Sequence, residues 1–332
     1  MKKRSFVLVL IILLISSVVV VLLSCLFGAS DVGAKSALKV ISSIFTGESV
    51  PEYYRLIIFK LRLPRALMAF VIGGGLAVSG CALQGLFKNP LVDSGILGVA
   101  SGAGLGAAVA IVFGLTFGNM LFPFAFLGGL LGIVLVYFLA LSKGKISSLR
   151  LLLSGIAAGT LMTALTSGIM ILNRDSMDRV VAWTMGSLTS VSWEKLSFTA
   201  PIIIIASLIL LLDAKKLNIA LLGKEEAKML GINISALRIR VMLFTSLITS
   251  AAVAAVGIIG FVGIMIPHVI RILSGPDHRS LLPLSFFGGG VLLMLSDLLA
   301  RNMIPPMEIP VGIITAVVGG AFFLYLLKTR KI

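Results

Sequence analysis

The sequence predicts an all-α membrane protein, a bundle of about ten transmembrane helices with both termini in the cytoplasm. Of its 332 residues, 58% are hydrophobic and 12% are charged, and the mean hydropathy is +1.14. A soluble domain of this size would be about 45–50% apolar and about one-quarter charged. Apolar runs long enough to cross about 30 Å of hydrocarbon recur from end to end. Soluble enzymes and free DNA-binding proteins are thereby nearly excluded.

Ten apolar segments follow one another, and most reach the roughly 20 residues that a helix needs to cross a bilayer. One long run, 239–273, is interrupted by three glycines and a proline, which favours a full helix, a turn and a shorter helix. The first segment exceeds the roughly 7–15-residue apolar core of a signal peptide, so we expect it to be retained. The segments are 5–27, 64–87, 95–115, 119–141, 150–172, 196–212, 239–256, 258–273, 281–300 and 309–327.

The distribution of basic residues predicts how the bundle is oriented. Lys2, Lys3 and Arg4 precede the first segment and place the N-terminus in the cytoplasm. Of the 28 Lys and Arg residues, ten crossings put eighteen inside and ten outside. This bias agrees with the excess of Lys and Arg in cytoplasmic loops, and an even number of crossings returns the C-terminus to the cytoplasm. Residues 1–332 are therefore expected to form a single transmembrane domain.

Three polar stretches interrupt the apolar pattern and predict structured loops. Residues 28–62 and 173–195 fall outside, whereas 213–238 form the largest cytoplasmic loop. Runs of glycine within the segments are typical of close helix packing. In the first external loop, helical spacing predicts a short helix lying at the membrane interface, with an apolar side formed by Leu38, Ile41, Ile44 and Phe45.

The sequence gives little support for nucleic-acid binding, metal binding or catalysis. The net charge of +15 does not indicate nucleic-acid binding, because the basic residues lie between apolar runs rather than on one polar face. Both cysteines lie inside apolar runs, and His268 and His278 have no carboxylate-rich cluster beside them, so no metal site is expected. The pairs Gly144-Lys145 and Gly223-Lys224 lack the remainder of a P-loop. We expect no cofactor and no ATP hydrolysis by this chain itself.

The cytoplasmic loop contains an amphipathic pattern. A short helix is predicted on which Leu222, Ala227 and Leu230 share an apolar side while the charged residues stay in water. Gly231 suits the left-handed position that ends such a helix. A short amphipathic helix at the cytoplasmic surface can receive force from a soluble partner. The alternative is a solvated connecting loop, and periodicity alone does not decide between the two.

Arginines flank the predicted helices at the outer surface. Arg62 and Arg65 begin the second segment, and Arg301 ends the ninth. Such residues anchor helices to lipid headgroups, or their planar guanidinium groups pair with carboxylates of a soluble partner. Asp297 is the one carboxylate deep in an apolar run, and Arg301, four residues later, is its expected partner.

Taken together, several motifs resemble those of the FecCD-type permeases, the BtuC-like subunits of importers for iron siderophores, haem and cobalamin. Their order and spacing agree from about residue 55 to residue 327. The motifs are Arg62-Leu-Pro-Arg65; Gln84, Asn89-Pro90-Leu91 and Gly95-Ile-Leu-Gly98; Trp183-Thr-Met-Gly-Ser187; Leu217-Asn-Ile and Ala227-Lys-Met-Leu-Gly231; Gly260-Phe-Val-Gly-Ile-Met-Ile-Pro-His268 and Arg271; Asp277-His-Arg279; Asp297-Leu-Leu-Ala-Arg301; and Glu308-Ile-Pro-Val-Gly312.

This resemblance implies a homodimer or pseudo-dimer of ten-helix permeases in the membrane lipid, two cytoplasmic ATPase subunits and an external substrate-binding protein. It implies that Arg62, Arg65 and Arg301 receive glutamates of the binding protein. Residues 213–238 would be the loop coupled to the ATPase, through Leu222, Gly223, Ala227, Leu230 and Gly231. Transport would pass between the two permeases, gated on the cytoplasmic side by Ser147 and Ser148 and lined by Ser154, Gly155, Gly159 and Thr160. Ser94 and Ala321 stand where the family often has proline, which leaves the local helix geometry open there.

The expected function is the transmembrane permease of an ATP-driven importer that moves an iron chelate, a ferric siderophore or haem, across the cytoplasmic membrane of a bacterium. A cobalamin importer is the alternative within the same class. An ion-coupled secondary transporter is the alternative from another class, and a multi-pass membrane enzyme is third. Secondary transporters usually carry ionisable groups near mid-membrane, whereas Asp297 lies near a helix end beside Arg301. The sequence does not identify the chelate.

Overall fold

A computed structural model describes residues 3–28, 32–46, 48–115, 120–142 and 147–329. Lys2 and the side chains of Lys3, Arg4, Ile44 and Phe45 lie outside the described part. The first half of the chain contains α1 (Lys3–Leu26), α2 (Ala34–Thr46), α3 (Glu52–Leu56), a π-helical segment (Ile57–Arg62), α4 (Leu63–Phe87), α5 (Val99–Val112), α6 (Leu121–Ala140) and α7 (Ser148–Leu172). The second half contains α8 (Arg174–Thr184), α9 (Trp193–Leu212), α10 (Ala214–Ala220), α11 (Lys224–Met229), α12 (Ile234–Val256), α13 (Val262–Ser274), α14 (His278–Asn302) and α15 (Val311–Thr329).

Each of the ten predicted apolar segments coincides with one helix. Within the described residues, seven helical stretches are long and apolar enough to cross a membrane: those containing α1, α4, α6, α7, α9, α12 and α14. Three apolar helices are shorter, at Val99–Val112, Val262–Ser274 and Val311–Leu326. The all-helical membrane architecture is thus confirmed, whereas ten crossings and the side on which each terminus lies stay predictions.

Helix α4 lies at the centre of the bundle, and nearly all of its side chains are buried. It packs against α14, α12, α13, α9 and α1, while α5, α6 and α7 form a second group joined to it through α12. Gly73 of α4 faces Gly289 of α14 so closely that a Cβ on either would overlap the other's carbonyl oxygen. Small residues let the two backbones approach, and packing of this kind holds membrane helices together.

The break between α12 and α13 confirms the predicted order of helix, turn and shorter helix. Helix α12 ends at Val256, and Gly257 adopts a φ of 78°, which L side chains rarely adopt. A Cβ on Gly257 would overlap the carbonyl oxygen of Trp183. The loop after α8 packs against this break, because the Ser187 N–H donates to the Val256 carbonyl at 2.7 Å.

The loop that is predicted to be external contains the predicted short helix, α2, but its buried side does not include Leu38. Ala37 and Val40 are buried and pack with Ile57 and Ile58 of the π-helical segment, whereas Leu38 is exposed. The predicted apolar side that included Leu38 is therefore wrong at that residue. Ala37 and Val40 are also three residues apart, so spacing alone could not distinguish the two sides.

We predict that Gly73→Ala lowers stability, because the new methyl group must displace the backbone of α14. Overpacking of this kind typically costs about 1–3 kcal/mol. Gly168→Ala in α7 is the matched control, since nothing lies within 4 Å of its added Cβ. The measurement is the apparent melting temperature of both variants in detergent. Equal melting temperatures would contradict the close contact between α4 and α14.

Candidate functional site

A buried ion-pair network joins α4 to α14 at the end of the bundle that the orientation prediction places outside. Arg65 donates from Nη2 to Asp297 Oδ1 at 2.8 Å and from Nε to the same oxygen at 3.0 Å. Its Nη1 donates to Glu308 Oε2 at 2.8 Å, and that oxygen also accepts the Thr189 hydroxyl at 2.9 Å. The network therefore holds α4, α14 and the segments before α9 and α15 together, with both carboxylates paired.

Arg62 and Arg301 bind the last turn of α1. Arg62 donates to the carbonyl oxygens of Cys25 at 2.8 Å and Leu26 at 3.0 Å, while Arg301 donates to that of Ser24 at 2.9 Å. The last carbonyls of a helix have no partner within it, and in a membrane each unsatisfied group costs several kcal/mol. The two arginines thus supply donors that α1 itself lacks.

The three arginines that are expected to dock a binding protein differ in their exposure. Arg62 is 4% exposed and Arg301 is 2% exposed, because their donors point into the protein. Arg65 is more accessible but is paired with Asp297 and Glu308. The expected pair of Asp297 with Arg301 is confirmed at 3.6 Å between Oδ2 and Nε. Its nearer partner, Arg65, was not anticipated, since it lies 232 residues away in the chain.

The loop that is predicted to be cytoplasmic folds as α10, a tight turn and α11, and its predicted apolar side is divided. Ala227 is fully buried, whereas Leu222 is 64% exposed and Leu230 is exposed as well. The shared side of Leu222, Ala227 and Leu230 is therefore wrong, because Ala227 faces the protein. Met229 joins the two leucines on the exposed surface, which we call the loop's apolar patch: Leu222, Met229 and Leu230.

The end of α11 confirms the position predicted for Gly231. Its φ is 76°, and its N–H donates to the Lys228 carbonyl at 2.9 Å. The next N–H, of Ile232, donates to the Ala227 carbonyl at 2.9 Å. This pair of hydrogen bonds is a Schellman motif, in which glycine supplies the left-handed residue. Gly223, at the other end of α11, also has a positive φ, of 151°.

Two polar contacts hold the loop against the bundle, and both were missed from the sequence. Asp213 is fully buried and binds Lys216 Nζ at 2.6 Å and Arg240 Nη1 at 3.2 Å, which ties α10 to α12. Asn218 accepts the His278 N–H at 2.9 Å and donates to Asp277 Oδ1 at 2.7 Å. The motifs Leu217-Asn-Ile and Asp277-His-Arg279 contained the second pair, but no local pattern joined them.

Asp277 caps α14 and helps to fix this contact. Burial alone would raise the pKa of Asp277, but hydrogen bonds from the Arg279 N–H and the Asn218 side chain lower it below its usual value. The carboxylate accepts the Arg279 N–H at 2.9 Å, as expected of an N-cap residue. The charged form is therefore the one that the folded loop stabilises.

Helix α7 presents a groove of small and hydroxyl-bearing residues. Gly155, Gly159 and Thr160, which are expected to line the transport pathway, line this groove, whereas Ser154 is half-buried beside it. The hydroxyls of Thr160 and Thr163 donate to carbonyl oxygens of their own helix, both at 2.9 Å. The groove is uncharged throughout, being lined by Gly95, Ile96, Ser101, Gly155, Ile156, Gly159, Thr160, Thr163, Ala164 and Ser167.

Ser147 and Ser148 lie where α7 begins. Ser147 is the N-cap of this helix, and its Oγ accepts the Arg150 N–H at 3.2 Å. Both serines border a cavity of about 570 Å³ at the end of the bundle where α4 and α6 stop and α7 and α12 begin. The segment 143–146, immediately before them, lies outside the described residues.

The two departures from the family pattern have different surroundings. Ser94 is buried, and its hydroxyl accepts that of Thr249 in α12 at 2.7 Å, so the serine ties the turn before α5 to the bundle. Ala321 lies within α15, which runs without interruption from Val311 to Thr329. A helix without proline keeps its backbone hydrogen bonds, and α15 needs no bend at this position.

Long apolar helices, a central glycine-packed core and an uncharged groove define a polytopic helical membrane protein of the permease class. The chain matches the FecCD transport family over residues 12–329, and it belongs to that family. The resemblance seen in the sequence motifs is thereby confirmed. The chain is a permease of the type found in ABC importers.

Three comparisons illustrate the relationship. The cobalamin import system permease protein BtuC of Halobacterium salinarum is 40% identical over 283 residues, 85% of this chain and 76% of that protein. The hemin transport system permease protein HmuU of Yersinia pestis is 37% identical over 311 residues, 92% of each chain. A solved inward-facing structure of a metal-chelate type ABC transporter has a TM-score of 0.84 and 34% identity, covering 96% of this chain and 98% of that one.

We predict that Asp297→Asn destabilises the protein, because Arg65 and Arg301 would remain buried with their shared carboxylate lost. Removing one partner from a buried ion pair typically costs about 3–5 kcal/mol. The control is Glu48→Gln, which removes an exposed carboxylate from the external loop. The apparent melting temperature in detergent should fall for the first variant alone. An equal effect of both variants would contradict the structural role of the network.

Proposed function

We propose that the chain is the permease subunit of an ATP-driven importer that carries an iron chelate, a ferric siderophore or haem, across the cytoplasmic membrane of a bacterium. The uncharged groove on α7 carries the proposal. None of its ten lining residues is ionisable. A bare metal ion would find no counter-charge there and would pay a large desolvation cost. A chelate brings its own ligands, so its metal needs none from the pathway.

The open side of the groove supports a second permease subunit. Helix α7 packs against α5, α6 and α8, and its remaining surface, which includes Thr160 and Thr163, is exposed in the single chain. A second copy or a homologous permease would cover this surface and close the groove into a pathway. Ser147 and Ser148 would then lie at its cytoplasmic end, where short side chains let two subunits approach closely.

A cobalamin importer is the second candidate. The relative named for cobalamin is 40% identical and the one named for hemin 37%, a difference too small to choose between the two cargoes. Cobalamin is also a metal complex with its own ligands, and it suits an uncharged groove equally well. Ion-coupled transport has less support, since Asp297 is paired with Arg65 and Arg301 rather than exposed to a pathway.

The external partner in this proposal is a substrate-binding protein. Arg62 and Arg301 donate to carbonyls of α1 and are almost completely buried, so they are not accessible to such a partner. Arg65 is the accessible member of the three, and Glu308, its partially exposed partner, is the group that a carboxylate of the binding protein would displace. Docking would thus exchange one carboxylate for another, without leaving the arginine unpaired.

The cytoplasmic partners are two ATPase subunits, and the loop's apolar patch is the surface that would meet them. Leu222, Met229 and Leu230 stay exposed although Asp213 and Asn218 hold the loop firmly to the bundle. Because the loop is anchored to α12 and α14, a movement of the ATPase at the apolar patch would be transmitted to these helices. Gly223 and Gly231 set the shape of the loop, and Ala227 supports it from beneath.

We predict that Leu222→Asp uncouples transport, because a carboxylate would be buried without a partner where the ATPase docks. Uptake in proteoliposomes should fall at least about tenfold, as a contact loss of about 1.4 kcal/mol implies, while the variant keeps the parental melting temperature. Leu38→Asp, at an exposed leucine of the external loop, should leave uptake unchanged. Ala227→Asp should instead lower the melting temperature, since that residue is buried. Parental uptake by Leu222→Asp would remove the patch from the coupling surface.

The cargo is tested by ATP hydrolysis in the reconstituted complex of permease, ATPase and binding protein. Ferric siderophore or haem should stimulate hydrolysis, whereas cobalamin and uncomplexed ferric iron should not. The comparison of chelate with free metal tests the argument from the uncharged groove directly. Stimulation by cobalamin alone would replace the proposal with its second candidate, and stimulation by free metal would overturn the argument.

A further inference from the structure

The lining of the cavity beside Ser147 and Ser148 is basic. Three basic side chains line it, from Lys88 after α4, Lys224 at the start of α11 and Arg238 in α12. Among the described residues, no acidic side chain belongs to its lining. Serine hydroxyls at the starts of α7 and α12 are the other polar groups of the lining. Both helices begin at the cavity, so the positive ends of their dipoles point toward it. This cavity is therefore built to receive an anion.

The conformation of Lys88 supports this conclusion. It ends α4 in the left-handed region, with φ 52° and ψ 34°. Glycine adopts this conformation without cost, whereas an L side chain pays about 1–2 kcal/mol. The chain therefore retains a long cationic side chain at a position where glycine would be easier to accommodate. Its charge lies at the edge of the cavity.

The surroundings of the cavity identify the kind of anion. Four membrane helices begin or end around it, which is the level of the lipid headgroups. Tyr137, from the aromatic class enriched at membrane interfaces, lies in the lining beside Leu141. From the rim, Ile239 and Leu243 continue along the outer face of α12, one turn apart and both about half exposed. A polar cavity that opens onto an apolar stripe matches a headgroup and an acyl chain.

We infer that this cavity binds an anionic phospholipid, with its phosphate between Lys88, Lys224 and Arg238 and an acyl chain along Ile239 and Leu243. Basic pockets between membrane helices are known lipid-headgroup sites. The inference does not depend on the transported cargo. It places a lipid where the loop that contains α11 meets the first turn of α7.

The test uses labelling of a single introduced cysteine in the full chain, held in nanodiscs of phosphatidylglycerol or phosphatidylcholine. The chain's own thiols, Cys25 and Cys81, are both buried. Ser235→Cys places a thiol in the cavity lining, and Ala236→Cys places one on the next residue, which is exposed but does not line the cavity. Phosphatidylglycerol should slow the reaction of Ser235→Cys with a neutral maleimide at least about tenfold relative to phosphatidylcholine. Ala236→Cys should react equally in both.

A second substitution tests the charge. Lys88→Gln, added to Ser235→Cys, should weaken protection by phosphatidylglycerol about fivefold, as expected for one cation near a membrane surface. Lys215→Gln removes an exposed lysine of α10 that does not line the cavity, and it should have no effect. Lys88 is itself exposed, so its replacement should leave the fold intact.

Three results would overturn the inference. Protection of both cysteines by phosphatidylglycerol would indicate a general surface effect, and an equal response to Lys88→Gln and Lys215→Gln would exclude the cavity as its origin. Protection of Ser235→Cys by inorganic phosphate in phosphatidylcholine nanodiscs, as strong as that by phosphatidylglycerol, would indicate a site for free phosphate rather than for lipid.

Discussion

The end of the bundle near Asp297 depends on the pairing of buried charges. Asp297 is almost completely buried, and in a membrane a carboxylate at this depth is tolerated only with cationic partners. Arg65 and Arg301 supply them from two different helices. Arg301 also donates to a carbonyl in the last turn of α1, and Arg62 donates to two further carbonyls there. A single requirement, that no buried charge or carbonyl be left alone, thus brings α1, α4 and α14 together at one end.

The opposite end of the bundle is built differently. Its cavity, about 570 Å³, is larger than the one of about 180 Å³ within the arginine network, and basic side chains rather than ion pairs line it. The loop that contains α11 is anchored at Asp213 and Asn218 and leaves its apolar patch exposed. The charge network pairs its own groups at the end near Asp297, whereas the loop at the opposite end leaves apolar side chains exposed.

Local features were predictable from the sequence, and distant contacts were not. Apolar length located all ten helices, and glycine chemistry located the break at Gly257 and the cap at Gly231, because these depend on neighbouring residues alone. The orientation of Arg62 depends on carbonyls more than 35 residues away, which no local pattern contains. The prediction that Ala227 shares an apolar side with Leu222 and Leu230 was wrong for another reason. A six-residue helix has fewer than two turns, too few to define which side is buried.

Arginine and lysine are used differently at the two ends of the bundle. A guanidinium group donates in several directions at once, so Arg62 can bind the carbonyls of Cys25, Leu26 and Val32 with one side chain. Lysine carries a strongly hydrated point charge and suits a wet cavity edge, where Lys88 and Lys224 lie. The basic residues behind the net charge of +15 therefore have more than one role. Some of them close the protein's own hydrogen bonds, and others line the cavity where α4 ends and α7 and α12 begin.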